Sequence, residues 1–332
     1  MKILLSILFI FQVSLSQVQF CGKSYVVYDR FSKSVIEGKR ENESQSVASI
    51  SKIMTAILAI ENNKLDKEVI VDHTIDKAYG SCVYIHIKDK ITIQDLLYGL
   101  LLRSGNDCGL MLAKATFGSV DKFVEKMNDL AMKLELSNSH FSNPTGLDEE
   151  DDGNISCPKD MAILMDYCCQ NPIFNKIVKT QVYQRLDGKG SWHNKNRLLK
   201  EYSYCLGGKT GFTKKARRTL VTRAKKRGMD LIIVTFNCGN DFAFHKDKYE
   251  EVFKKFQSVK IYDEGLNWID QEVYIFDRDL QLELQPQDQV TCQVIQNQLY
   301  LQVNQKTVVC KQLSHYQFKY ALYYILKDLI YG

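Results

Sequence analysis

Nothing in this 332-residue chain has the pattern of a metal site. Its six histidines are scattered, with no HExxH and no pair at helical ligand spacing, and its ten cysteines include no CxxC pair that could hold zinc. No basic run exceeds a few residues and the net charge is only +5, which argues against nucleic acid as a partner. Weak attraction to an anionic wall or membrane surface is compatible with that charge. The cysteines also lack the spacing of a disulfide framework. Cys108, Cys168 and Cys169 fall within helical patterns where a small apolar residue would serve. Most are therefore expected as free buried thiols, with Cys292 and Cys310 left as an open pairing.

What is present reads as an ordinary globular composition, long enough for one large domain and a smaller one. Residues 1–16, MKILLSILFIFQVSLS, combine a lysine, an apolar run and small residues, the pattern of a secretory signal cut before Gln17. Phe20 stands before Cys21 where a lipoprotein signal would carry a small residue, so export without lipidation is expected. The stretch 23–40 reads as strand, turn and strand. Residues 47–61, VASISKIMTAILAIE, are apolar around nearly the whole circumference of a helix, which predicts burial. A second helix opens at Thr92 with Asp95 three residues on, a capping arrangement, and its leucines lead to Ser104. Amphipathic helices are expected over 120–134 and 157–170, the latter with Pro158 near its start, on either side of the turn-rich, acidic segment 141–154. From Tyr204 the pattern becomes extended, with two β-rich runs around Arg227 and Gly228 as a hairpin. A last helix is expected over 246–259. Beyond it, residues alternate with a period of two, as in Leu280, Leu282 and Leu284, indicating a small β module over 258–314. The tail 315–332 has an amphipathic helical pattern too short and too charged to span a bilayer, suited either to an interfacial anchor or to packing on the β module.

Three short motifs follow one another: SxxK as Ser49 and Lys52, SGN as Ser104, Gly105 and Asn106, and KTG as Lys209, Thr210 and Gly211. SxxK also occurs at Ser119 with Lys122 and at Ser156 with Lys159. Only the first lies in the apolar helix and precedes SGN and KTG at domain-scale separations; the other two read as capping serines with snorkelling lysines. Three residues apart on a helix, Lys52 can bring its amine to the Ser49 hydroxyl. It must be neutral to act as a base, a state favoured by burial and by a nearby cation such as Lys209. Ser49 near a helix start would meet free N–H groups and a favourable dipole. Ser104 could relay a proton to a leaving amine, and Asn106 could hold both Lys52 and a substrate amide. Lys209 and Thr210 could receive a carboxylate, with Gly211 admitting a substrate backbone to the strand. Such a set can transfer an acyl group without histidine.

SxxK, SDN and KTG are together the signature of penicillin-binding proteins and class A β-lactamases. The chain resembles the low-molecular-mass penicillin-binding proteins that are D-alanyl-D-alanine carboxypeptidases, over roughly residues 24 to 256. Matching stretches include ASISKIMTA, DLLYGLLLRSGND, FSNPTGLD, KDMAIL and GGKTGFTKKARRTLV with LIIVTFN. SGN in place of SDN is the carboxypeptidase form. The resemblance implies an α/β (α+β) fold of the β-lactamase/transpeptidase-like kind: an antiparallel sheet flanked by helices, with an all-helical region bearing SGN. It implies a peptidase domain over 17–257, a small C-terminal β domain and often an amphipathic anchor. It also implies Ser49 as nucleophile, Lys52 as base, Ser104 and Asn106 as relay and substrate contact, and Lys209 with Thr210 as carboxylate binders. The oxyanion hole would be the backbone N–H groups of Ser49 and Phe212. Three features depart from the family: Arg217 in place of a glycine after the KTG strand, where it could crowd the sheet, Cys108 in place of an alanine, and a short β module.

The expected function is hydrolysis of the terminal D-alanine from peptidoglycan stem pentapeptides through a Ser49 acyl-enzyme, outside the cytoplasm, with no metal or organic cofactor. β-Lactams would be covalent inhibitors. The rivals are a class A-like β-lactamase, which needs a deacylating glutamate that the acidic stretch 148–152 does not match, and a non-catalytic wall-binding protein of the same fold.

Overall fold

The computed structural model describes residues 19–20, 22–148, 153–269 and 272–315. The expected signal, Cys21, most of the acidic stretch and the tail from 316 lie outside the described residues. The chain builds a five-stranded antiparallel sheet from β1 (Ser24–Asp29), β2 (Ser34–Lys39), β3 (Cys205–Thr213), β4 (Arg217–Lys226) and β5 (Met229–Phe236), in the order β2-β1-β5-β4-β3. All eight residues of β5 are buried, because helices cover both faces of the sheet. Successive residues therefore serve opposite cores. Ile232, Val234 and Phe236 join one apolar cluster and Leu231 and Ile233 the other. The Arg227–Gly228 hairpin turn has φ of 52° and 85°, the left-handed pair that suits the twist of two antiparallel strands.

The longer helices are α1 (Lys52–Asn62), α2 (Ile93–Tyr98), α3 (Asn106–Phe117), α4 (Val120–Lys133), α5 (Pro158–Cys168), α6 (Pro172–Lys179) and α7 (Asp241–Lys255), and a single helical turn spans Leu198–Glu201. In α1 every residue from Lys52 to Ile60 is buried, as its all-round apolar pattern predicts. Thr92 caps α2 by accepting from the Asp95 N–H, and Pro158 opens α5. The second SxxK serine is a cap: Ser119 Oγ accepts from the Lys122 N–H at the start of α4. Ser156 is not. It lies in a two-residue strand before α5, whose cap is Cys157, and its hydroxyl meets Ser139 Oγ at 2.7 Å.

The expected last helix shifts toward the N-terminus. It runs over Asp241–Lys255, and Gln257 already begins a strand, in which Val259 and Tyr262 pair with Leu282 and Leu280. Arg217 does not crowd the sheet. Its side chain is exposed and its φ of 60° accounts for a position where glycine is at home. The C-terminal module comprises β6 (Gln257–Tyr262), β7 (Gly265–Ile269), β8 (Glu272–Phe276), β9 (Leu280–Leu284), β10 (Val290–Ile295), β11 (Gln298–Val303) and β12 (Lys306–Gln312), and Ser314–His315 adds a short strand beside β8. Despite its size it has its own core, in which Phe276, Leu282, Leu299 and Leu301 are buried. Cys292 and Cys310 lie on β10 and β12, on either side of β11, with no disulfide between them, and Cys292 Sγ accepts from the Tyr262 hydroxyl at 3.0 Å. No helix among the described residues is long and apolar enough to cross a membrane.

Candidate active site

Ser49 lies in a 3-10 turn, Ala48–Ser51, that leads into α1, so Lys52 is the first α-helical residue and not, as expected, a residue within the same α-helix. The spacing still works. Lys52 Nζ stands 3.0 Å from Ser49 Oγ and 2.7 Å from Asn106 Oδ1, and it also donates to the Thr145 carbonyl. Lys52 is wholly buried, and desolvation, reinforced by the positive charge of Lys195, lowers its pKa to about 7. Thr145 was not legible as a partner. It comes from the 141–148 turn, where Asn143 Oδ1 accepts from the Thr145 and Gly146 N–H groups, and Gly146 (φ 75°) abuts Ala48 so closely that a Cβ would stand 2.2 Å from its carbonyl oxygen.

SGN forms a joint between helices. The last turn of the second helix, Gly99–Arg103, widens to a π-helix and ends at Ser104, which adopts the left-handed conformation (φ 67°, ψ 32°). Gly105 then caps α3 and Asn106 is its first residue. This reversal holds Ser104 Oγ 3.1 Å from Lys209 Nζ. Asn106 holds Lys52 as expected but does not face the cavity: it is buried and its amide nitrogen donates to the Tyr79 carbonyl.

KTG lies on β3, the outermost strand of the sheet. Gly207 and Gly208 have φ of 132° and 152°, and a Cβ on Gly208 would collide with the Val221 carbonyl, so both serve the strand's own geometry. Gly211 serves the Ser49 turn. A Cβ there would lie 2.4 Å from Thr219 Oγ1 and 3.0 Å from the Ser49 nitrogen, so its first role is to let β3 meet the Ser49 turn backbone to backbone. Lys209 is buried, and desolvation, with Lys52 and Lys195 nearby, pushes its pKa well below the ordinary lysine value. The expected order of influence is thus altered: the cation acting on Lys52 is Lys195, and Lys209 is itself a depressed group.

A cavity of about 270 Å³ opens above these residues, lined by Ser49, Ser104, Thr210, Gly211 and Phe212 together with Ser81, Lys195, Arg218, Asp241 and Phe242. Lys52, Asn106 and Lys209 lie behind its wall. The serine hydroxyls and the β3 backbone can therefore meet a ligand while two suppressed ammonium groups act from below. Lys195, whose Nζ is 3.3 Å from Ser81 Oγ, and the pair Arg218 and Asp241 carry no local motif; they arrive from separate elements through the fold. Among the described residues no group of histidine, cysteine and carboxylate side chains is placed to hold a metal ion.

The sequence profile of the D-alanyl-D-alanine carboxypeptidase family matches residues 11–240. The chain is 33% identical over 259 residues to D-alanyl-D-alanine carboxypeptidase DacF of Bacillus subtilis, covering 72% of this chain and 66% of that protein. It is 35% identical over 218 residues to the D-alanyl-D-alanine carboxypeptidase of Streptomyces sp. strain K15, covering 58% and 73%. Among solved structures, penicillin binding protein 5 from Haemophilus influenzae superposes with a TM-score of 0.80 over 91% of this chain and 98% of that one, at 21% identity, a likeness of fold. The D-alanyl-D-alanine carboxypeptidase from Mycobacterium tuberculosis H37Rv superposes with a TM-score of 0.67 at 29% identity, covering 70% and 91%.

Proposed function

Because the chain belongs to the D-alanyl-D-alanine carboxypeptidase family, we propose that it is a serine hydrolase that removes the terminal D-alanine from peptidoglycan stem pentapeptides. The observation that carries this reading is the contact of a desolvated Lys52 amine with Ser49 Oγ at 3.0 Å. Neutral Lys52 takes the Ser49 proton as Oγ attacks the carbonyl of the penultimate D-alanine. The backbone N–H groups of Ser49 and Phe212 receive the oxyanion. Ser104, bonded to Lys209, relays the proton that Lys52 took from Ser49 to the departing D-alanine amine, and Asn106 fixes the Lys52 amine. Thr210 and the Gly211 backbone hold the substrate along β3. Water then attacks the acyl-enzyme, releasing the shortened peptide and restoring Ser49. β-Lactams enter the same cavity and acylate the same oxygen.

The reading places the reaction outside the cytoplasm. Residues 1–16 act as the export signal, 17–257 as the peptidase domain, 258–314 as the β module and 315–332 as an amphipathic segment for peripheral membrane contact. Against the β-lactamase alternative, Asp241 is the one carboxylate lining the cavity among the described residues, and Arg218 holds both its oxygens.

The test is D-alanine release from diacetyl-Lys-D-Ala-D-Ala, with fluorescent penicillin labelling in parallel. Wild type releases D-alanine and forms a long-lived adduct, and Ser49→Ala does neither. Labelling of Ser49→Ala would remove the nucleophile assignment, rapid turnover of penicillin would favour the lactamase, and a folded wild type that releases no D-alanine would leave only a binding role.

A further inference from the structure

The cavity has a cation problem. A peptide ending in D-alanine brings a carboxylate to it, yet neither motif lysine can meet that charge. Lys209 is 2% exposed and its amine is engaged by Ser104 Oγ at 3.1 Å and by the Thr210 carbonyl, while Lys52 is wholly buried under Ser49. Only two cationic side chains line the cavity among the described residues, Lys195 and Arg218. Lys195 Nζ is already engaged by Ser81 Oγ at 3.3 Å, and desolvation, with the Arg103 charge nearby, lowers its pKa. Arg218 offers a guanidinium, a planar fork of donors that matches a carboxylate.

Arg218 is also built in. It sits on β4 directly across from Phe212 of β3, and its guanidinium is gripped by Asp241 along one edge, at 3.2 Å from Nε and 2.7 Å from Nη2. Asp241 is the first residue of α7 and is 2% exposed. The face of the guanidinium lies over the Phe242 ring, 5.5 Å from its centroid, with Arg197 4.7 Å from the same ring. These restraints leave Nη1 without a hydrogen-bond partner among the described residues. A preoriented guanidinium with an open donor, beside the Thr210 hydroxyl and the edge of β3, is a carboxylate receptor whose ordering cost is already met by the protein.

We propose that Arg218, oriented by Asp241 and Phe242, recognises the C-terminal carboxylate of the substrate, with Lys209 acting only from behind the wall on Ser104. The inference rests on the carboxypeptidase reading above and names the group that makes the enzyme select a free chain end. The leaving D-alanine is then held at its carboxylate by Arg218 and Thr210 while its amine faces Ser104.

The test compares diacetyl-Lys-D-Ala-D-Ala with the same peptide carrying a C-terminal amide. Wild type should favour the acid. Arg218→Gln should lower kcat/KM on the acid by about tenfold to a hundredfold, the worth of a charged hydrogen bond, chiefly through KM, and leave the amide unchanged within about twofold. Arg218→Lys should recover part of the preference. Asp241→Asn, which keeps the cation but loosens its grip, should weaken the acid selectively, a pattern that a merely structural role would not give. Retention of the wild-type acid-to-amide ratio by Arg218→Gln overturns the proposal. If Arg218→Gln does not fold, an unchanged ratio in both Arg218→Lys and Asp241→Asn overturns it instead. Failure of wild type to cleave either peptide would instead overturn the carboxypeptidase reading on which it stands.

Discussion

At the scale of single residues, the site works by withholding water from amines. Lys52 has its pKa lowered to about 7, mainly by burial and next by the field of Lys195. In the proposed mechanism the base is neutral Lys52, so acylation should rise with pH and level off above about 7, falling about tenfold per unit on the acid side. Lys195→Gln removes the cation and should move this limb to higher pH. Rates of penicillin acylation across pH 5 to 9, for wild type and variant, measure both; a flat profile, or an unmoved limb in the variant, would defeat this account. Ser49, Lys52, Ser104, Asn106, Lys209, Thr210 and Gly211 could all be singled out in the sequence, because each motif confines its chemistry to four residues or fewer. Thr145, Lys195, Arg218 and Asp241 could not. Their positions depend on a turn, a loop, a strand and a helix start that only the completed fold brings together, and the sequence held no local period to mark them.

At the scale of elements, a change of helix type sets the position of the second serine. The π turn Gly99–Arg103 and the left-handed Ser104 reverse the chain within two residues, which a regular α-helical exit would not do. Ser104 accepts an unfavourable backbone conformation in order to place Oγ beside Lys209. Two substitutions separate the hydroxyl from the backbone. Ser104→Gly and Ser104→Ala should both lower acylation by about a hundredfold or more by removing the proposed relay. Ser104→Gly should nonetheless be the more stable of the two, by about 1 kcal/mol, since only glycine adopts φ of 67° without cost. Equal melting temperatures for the pair would argue against strain at this joint. The helix-to-SGN order was legible in the leucine run and the Thr92 cap. The π turn was not, since apolar periodicity specifies which face is buried and not the number of residues in the last turn. The end of α7 was missed for a related reason: Phe256, Val259 and Ile261 suit a helix face and a strand equally, and pairing of β6 with β9 decided the matter.

At the scale of the whole molecule, the peptidase domain and the β module have separate cores and titrating groups of opposite effect. In the peptidase domain His245 is buried between α7 and the sheet, with Nδ1 2.7 Å from Thr222 Oγ1 and Nε2 3.0 Å from Thr235 Oγ1, and desolvation lowers its pKa from 6.5 to about 3. The folded state thus binds fewer protons than the unfolded chain, so this contribution is complete above pH 6.5 and is lost as pH falls toward 3, at up to about 1.4 kcal/mol per pH unit. In the module Glu283 on β9 has no hydrogen-bond partner for either carboxylate oxygen among the described residues. Burial and the Asp29 charge raise its pKa from 4.5 to about 8 against a smaller lowering by the Ser258 hydroxyl, which itself donates to Gln281 Oε1 at 3.1 Å. Here the folded state binds more protons, so stability declines as pH rises from 4.5 to 8. Since Asp29 belongs to β1 and Ser258, beside the Arg227–Gly228 turn, pairs with Glu283, the penalty falls where the module meets the peptidase sheet. Calorimetry between pH 4 and 8 should therefore resolve two transitions that move in opposite directions with pH. Glu283→Gln should flatten the module's transition and leave the other, while His245→Gln should do the reverse. A single transition, or two that shift together, would mean that the cores do not unfold separately and that the junction binds them more tightly than its unpaired carboxylate implies.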